Sequence, residues 1–259
     1  MAGLQVPSRL VSRLRSAARD VGGGWVRGAW RWVCKVGAIG PFDAAGRRFG
    51  QFGFGSIICF PANTIQNEKH IRIGSGTMIG PHVALSVGIG PGQQNLPETV
   101  LRIGDRCVIG RGSGIIAHTS VEIGDDVWTG HNVYITDQNH GYEDVTQPIS
   151  RQSCPPDRPV SIGDGSWLGY GVVVLPGARI GSHVVVGANA VVTGEIPDFS
   201  VAVGAPARVV RRYLPEEGWM RQCMAGGGDS MSPRRTAPQI GKKPSFDPAE
   251  FAAADRSTP

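Results

Sequence analysis

Residues 162–187 read Ile162-Gly163-Asp164-Gly165-Ser166-Trp167-Leu168-Gly169-Tyr170-Gly171-Val172-Val173-Val174-Leu175-Pro176-Gly177-Ala178-Arg179-Ile180-Gly181-Ser182-His183-Val184-Val185-Val186-Gly187. An aliphatic residue recurs at 162, 168, 174, 180 and 186, and glycine follows it at 163, 169, 181 and 187. A period of six is neither the two of a strand nor the 3.6 of a helix, and a fixed period marks a repeat architecture.

Working outward, the same hexads appear as Ile73-Gly74, Ile79-Gly80, Leu85-Ser86; Ile103-Gly104, Ile109-Gly110, Ile115-Ile116; and Ile123-Gly124, Thr129-Gly130, Ile135-Thr136. The last is Val192-Thr193. Thr129 alone breaks the aliphatic rule, and every third hexad lacks the glycine, so the unit is three hexads, or 18 residues. Small or β-branched residues such as Thr77, Cys107, Val127, Ser166 and Val184 hold the fifth position. Three short strands and three turns per coil predict a triangular prism whose first-position aliphatics stack inward. Glycine is abundant (38 residues) and aromatics are few (7%), which suits tight turns and small stacked side chains.

Three interruptions break the repeat: 91–102, a two-residue lengthening after Ile115, and 137–159. All leave the third hexad, hence one edge of the prism. A repeat needs no such irregularity to fold, so this edge is the candidate functional edge.

The net charge of +5 is concentrated at the start: residues 1–35 carry seven bases and one acid. No basic stripe with interleaved aromatics crosses the centre, which argues against nucleic-acid binding. Five cysteines without a CxxC pair argue against a disulfide framework or structural zinc, and fit a reducing cytoplasm. No apolar run is long enough to span a membrane. The chain divides into a basic helical segment (1–40, containing Trp25, Trp30 and Trp32), a repeat domain (41–213) and a largely disordered tail (214–259) with a short helix at 248–254. The Gly22-Gly23-Gly24 run weakens the helix. The segment reads either as a cap over the open end of the prism or as a peripheral membrane-contacting helix.

The excursion opens Thr136-Asp137-Gln138-Asn139-His140-Gly141-Tyr142, and the repeats close with Ile196-Pro197 and Gly204-Ala205-Pro206-Ala207. With these motifs, residues 123–212 closely resemble the hexapeptide-repeat acetyltransferases, in particular the galactoside/maltose and polysaccharide O-acetyltransferase branch; weaker similarity reaches back to about Ile71. The resemblance implies an all-β, single-stranded left-handed parallel β-helix. The left hand comes from the resemblance alone, since parallel crossovers are normally right-handed.

It also implies a homotrimer with inter-subunit active sites, acetyl-CoA or another acyl-CoA as co-substrate rather than a bound cofactor, and a carbohydrate acceptor. His140 matches the catalytic base, a role that suits imidazole because its pKa lies near neutrality. Trp167, Gly169, Tyr170, Gly187, Ala188, Thr193 and Arg208 match the CoA-binding region. Gly194 stands where the family often has lysine. On the acceptor side Asn132, Asp137 and His118 are the candidates, although an asparagine often found on the preceding coil has no counterpart in 110–114. N-acylation of an amino sugar or amino acid, and a non-catalytic assembly subunit, are the alternatives. The paired histidines of the γ-class carbonic anhydrases are missing, so no metal is expected. His82, His131 and His183 fall at surface corners.

Overall fold

In a computed structural model, residues 8–222 are described, with side chains from residue 20. One helix, Ser8–Gly37, precedes a body made of short strands. The strands sort into three sheets of seven, nine and six strands, and the chain visits the sheets in turn. In the coil that follows the long excursion, Val160–Ile162 lies in the first sheet, Trp167–Leu168 in the second and Val173–Val174 in the third. Each strand pairs in parallel with its counterpart on the next coil: Ile162 with Ile180, Leu168 with Val186 and Val174 with Val192, each 18 positions on.

The stacked aliphatics form the core. Ile73, Ile103, Ile123, Ile162, Ile180 and Ile196 line the inside of the first sheet, and Ile79, Ile109, Leu168, Val186 and Ala202 that of the second, all nearly inaccessible. Thr129, the exception in sequence, is also buried, and its Oγ1 accepts the Gly110 N–H at 2.8 Å, so the hydroxyl is satisfied. Fifth-position side chains bond up and down one corner. Ser166 Oγ donates to the Gly181 carbonyl at 2.9 Å and accepts the Val184 N–H at 3.0 Å. Thr77 does the same toward Gly104 and Cys107.

Close packing at the first two turns explains the glycines. A Cβ on Gly104 would sit 2.5 Å from the Gly124 oxygen, and one on Gly169 would sit 2.7 Å from the Ala188 nitrogen. A ladder of aspartates runs beside these glycines: Asp105, Asp125, Asp164 and Asp198 each accept a backbone N–H from the preceding coil, from Ser75, Asp105, Asp125 and Ser182 respectively.

The interruptions 88–100, 118–120 and 137–159 all leave between a third-sheet strand and the next first-sheet strand, so they share one edge. We call this the third edge; the turn between the second and third sheets is the second edge. An imperfect coil begins at Gln51–Phe52 and Ile57–Ile58.

Two expectations need correction. The helix runs unbroken through Gly22-Gly23-Gly24. From Asp20 its side chains are mostly exposed, and near its end it touches the body, where Trp30 faces Phe60 at 6.5 Å. The predicted tail also starts too early: Arg208–Leu214 pairs antiparallel with Ser200–Val203, and Gly218–Arg221 pairs with it in turn. The hairpin extends the second sheet, with Val209 and Val210 half-buried between exposed Arg208 and Arg211. The expected helix at 248–254 lies outside the described residues.

Candidate functional site

The excursion is fastened to the coils at both ends by polar ties. Asp137 is fully buried, and its carboxylate accepts the N–H groups of His118, Thr119 and Ser120, each at 2.8 Å. Its carbonyl accepts the Arg158 N–H at 2.9 Å, and the Arg158 carbonyl accepts that of Gly177. Thr119 Oγ1 donates to Asp157 at 3.0 Å. The start and end of a 23-residue loop therefore close on the turn of the coil before and the turn of the coil after. Within the loop, the Asp144 carboxyl is held below the usual range by the Thr146 hydroxyl, the Thr146 N–H and Gln147. Gly141 is required where the loop crosses itself, since a Cβ there would lie 2.2 Å from the Ser153 oxygen.

His140 sits three residues beyond the Asp137 anchor. Its side chain is exposed and its backbone N–H is donated to Asn139 Oδ1 at 3.0 Å. The imidazole is thus open to a reactant while its backbone N–H is tied to the side chain of the preceding residue. Next to it, Gln138 Oε1 is buried without a partner. His118 lies half-buried on the anchoring turn, on the same edge as His140.

The other expected residues divide between two edges. Trp167 lies outward on the second sheet and is 53% exposed, directly in register with Trp128 one coil earlier. Gly169 and Tyr170, then Gly187 and Ala188 one coil on, form the second edge. Gly169 and Gly187 are demanded by coil stacking itself, since added Cβ atoms would meet Ala188 and Val203. Thr193 is exposed on the third edge, below the excursion. Arg208 is exposed at the start of the terminal hairpin with Arg211 and Arg212.

Two acceptor-side candidates differ in their settings. Asn132 lies on the second edge, where its φ of 57° fits a left-handed turn residue, and its Nδ2 donates to the Tyr170 hydroxyl at 2.9 Å. It neighbours Tyr170 on that edge. Asp137 is closed off from reactants by burial and its three N–H partners, so it holds the edge in shape. Among the described residues, no hydrogen bond joins His140 to Trp167, Gly169, Tyr170, Gly187 or Ala188.

A recess of about 580 Å³ lies on the outer side of the first sheet, lined by Gln51, Arg72, Arg102, Glu122 and Asp125 among others. It touches none of the expected site residues. His82 and His183 occupy left-handed turn positions, with φ of 60° and 53°. Among the described residues, no cluster of three His, Cys, Asp or Glu side chains is arranged to hold a metal ion.

The bacterial transferase hexapeptide (six repeats) model matches residues 159–194, and the hexapeptide repeat of succinyl-transferase matches 100–137. The chain is 36% identical over 166 residues to the putative lipopolysaccharide biosynthesis O-acetyl transferase WbbJ of Escherichia coli, covering 62% of this chain and 80% of that one. It is 46% identical over 114 residues to a probable acetyltransferase of Mycobacterium tuberculosis, covering 44% of this chain but only 38% of that protein. Similarity to the galactoside O-acetyltransferase of Lactococcus lactis is 38% over 98 residues, covering 38% of this chain and 46% of that one. In fold, it resembles a mutant of the N-acyltransferase AntD from Bacillus cereus, solved with dTDP and coenzyme A, with a TM-score of 0.55 at 19% identity over 68% of this chain and 91% of that one. The repeat, its three sheets and the extensive identity to WbbJ together place this chain in the hexapeptide-repeat acetyltransferase family.

Proposed function

We propose that this chain is an acyl-CoA-dependent O-acyltransferase, with acetyl-CoA as donor and a hydroxyl of a sugar or saccharide intermediate as acceptor. The coils turn left-handed, as in the family. His140 takes the proton from the acceptor hydroxyl as its oxygen attacks the thioester carbonyl. A backbone N–H holds the oxyanion, the C–S bond breaks, and the imidazolium returns its proton to the CoA sulfur. Transfer is direct, without an acyl-enzyme.

The carrying observation is the fastening of the excursion: buried polar ties hold its ends while His140 stays exposed on the third edge. The residues matched to CoA binding mostly occupy the second edge. In one chain these are separate turns of the coil. Association of three chains side by side sets the third edge of one against the second edge of its neighbour, so the reading includes a homotrimer with His140 and Trp167 contributed by different subunits. Exposed Trp167, small Ala188 and the bare backbone of Gly169 offer the pantetheine arm an apolar wall and amide partners. Arg208, Arg211 and Arg212 offer cationic donors to the nucleotide phosphates.

Release of CoA from acetyl-CoA, measured across a panel of hydroxylated sugars and amino sugars, tests the reading. His140→Ala is expected to lower kcat by about 10²–10⁴-fold while thermal stabilisation by acetyl-CoA persists. Near wild-type turnover in His140→Ala removes the base assignment. Turnover confined to amino sugars replaces O-transfer by N-transfer. No thermal shift at millimolar acetyl-CoA points to a non-catalytic subunit.

A further inference from the structure

The helix Ser8–Gly37 takes no part in the proposed site, and among its described side chains few meet the coils. Successive residues advance by 100° around its axis, which sorts its described side chains into two sectors. Val21, Trp25, Ala29, Trp32 and Val36 fall on one continuous sector, extended on one flank by Val26 and Trp30. Arg27, Arg31 and Lys35, spaced four apart, fall on the other. Trp25, Trp30 and Trp32 are 77%, 55% and 65% exposed, far more than large aromatics tolerate without a cover. Val21, Trp25, Ala29 and Trp32 line a shallow apolar recess, with Gly24 and Gly28 leaving gaps between the rings.

Charge decides what covers this face. Arg27, Arg31 and Lys35 stack at one-turn spacing, where like charges repel. Among the described residues none of them forms an ion pair. Residues 1–35 carry seven bases against one acid, so their complement is a dense anionic surface. A second copy of the helix would bring the same positive charge. A helical seam between copies also favours a narrow stripe of Leu and Ile, whereas this sector is broad, Trp-rich and interrupted by glycine. A bilayer interface supplies anionic headgroups beside an apolar boundary, and tryptophan rings settle at that level.

We propose that the helix Ser8–Gly37 lies in the surface of an anionic lipid bilayer, with Trp25, Trp30 and Trp32 inserted and Arg27, Arg31 and Lys35 at the headgroups. No helix among the described residues is long and apolar enough to cross a membrane, so contact is peripheral.

Flotation of the full chain with vesicles of phosphatidylcholine and phosphatidylglycerol (3:1) tests this against vesicles of pure phosphatidylcholine. Strong binding to the anionic vesicles, weakened as salt rises from 50 to 500 mM, is expected. Each base removed should weaken binding about fivefold, and Arg27→Glu/Arg31→Glu/Lys35→Glu more than a hundredfold. Trp25→Ala/Trp32→Ala should abolish it. The thermal transition of the coils should stay unchanged in both variants, because the altered side chains are exposed. Absence of flotation with wild type, or equal flotation with both vesicle types, overturns the proposal. So does a change in sedimentation mass of the tryptophan variant with vesicle binding intact, which would assign the face to a second copy.

Discussion

The coil stack and the excursion at 137–159 are built on opposite terms. In the coils, nearly every inward side chain is aliphatic and inaccessible, and each strand away from the ends of the stack is bonded above and below. In the excursion, Tyr142, Val145 and Ile149 point to solvent, no strand forms, and shape depends on Asp137, Asp144, Asp157 and their partners. The first arrangement is redundant: many equivalent contacts share the load. The second is not: a handful of hydrogen bonds fix where His140 stands. A stiff, repetitive scaffold thus carries a polar loop whose sequence is free to serve chemistry.

The difference predicts where substitutions act. Leu168→Ala removes a fully buried side chain between stacked coils and is expected to lower unfolding free energy by about 2–5 kcal/mol. Val145→Ala, at 93% exposure in the excursion, should stay within about 0.5 kcal/mol. Urea unfolding checks both, and equal effects would erase the contrast. Asp137 is the intermediate case, a loop residue buried like a core one. Asp137→Ala strands three N–H groups and should lower stability by about 1–3 kcal/mol. Its larger effect should fall on kcat, through displacement of His140, with acetyl-CoA affinity nearly unchanged and partial rescue in Asp137→Asn. Equal loss in kcat and stability would make Asp137 a structural tie alone.

The scaffold was readable because a prism must repeat its spacing in order to stack: Ile73, Ile103, Ile123 and Ile180 announce themselves by position. Glycines such as Gly104 were equally visible, since only glycine fits where coils approach. The Asp105, Asp125, Asp164 and Asp198 ladder was written at a regular place and went unread, because its partners are backbone groups. The burial of Asp137 was hidden for the same reason. Hexad counting places Asn132 on the second edge beside Tyr170, so that neighbourhood was legible in the spacing. The helix across three glycines was not, because propensity alone weakens it and its apolar sector extends beyond the window where the glycines fall. Contacts between edges of different subunits leave no local period and stay invisible in one chain.

The smallest expected effect returns to the coils. Cys107 lies at a fifth position, inaccessible, with its Sγ donating to the Gly124 carbonyl at 3.0 Å. Burial first, with the nearby charges of Asp125 and Asp126, pushes its thiol up to about 11 from an ordinary value of 9.0. The folded state thus holds the proton more tightly than the unfolded chain does. This contribution is fully present below about pH 9 and is lost as pH rises through about 11, with stability falling by at most about 1.4 kcal/mol per pH unit in between. Cys107→Ser keeps a donor to Gly124 but does not titrate in this range, so its stability-versus-pH curve should be flatter between pH 9 and 11. Exposed Cys154 should react with iodoacetamide at pH 8 while Cys107 stays protected until the coils unfold. Rapid labelling of Cys107 in the native state would mean that the coil stack opens locally, and the contrast between rigid scaffold and adaptable edge would then fail on its scaffold side.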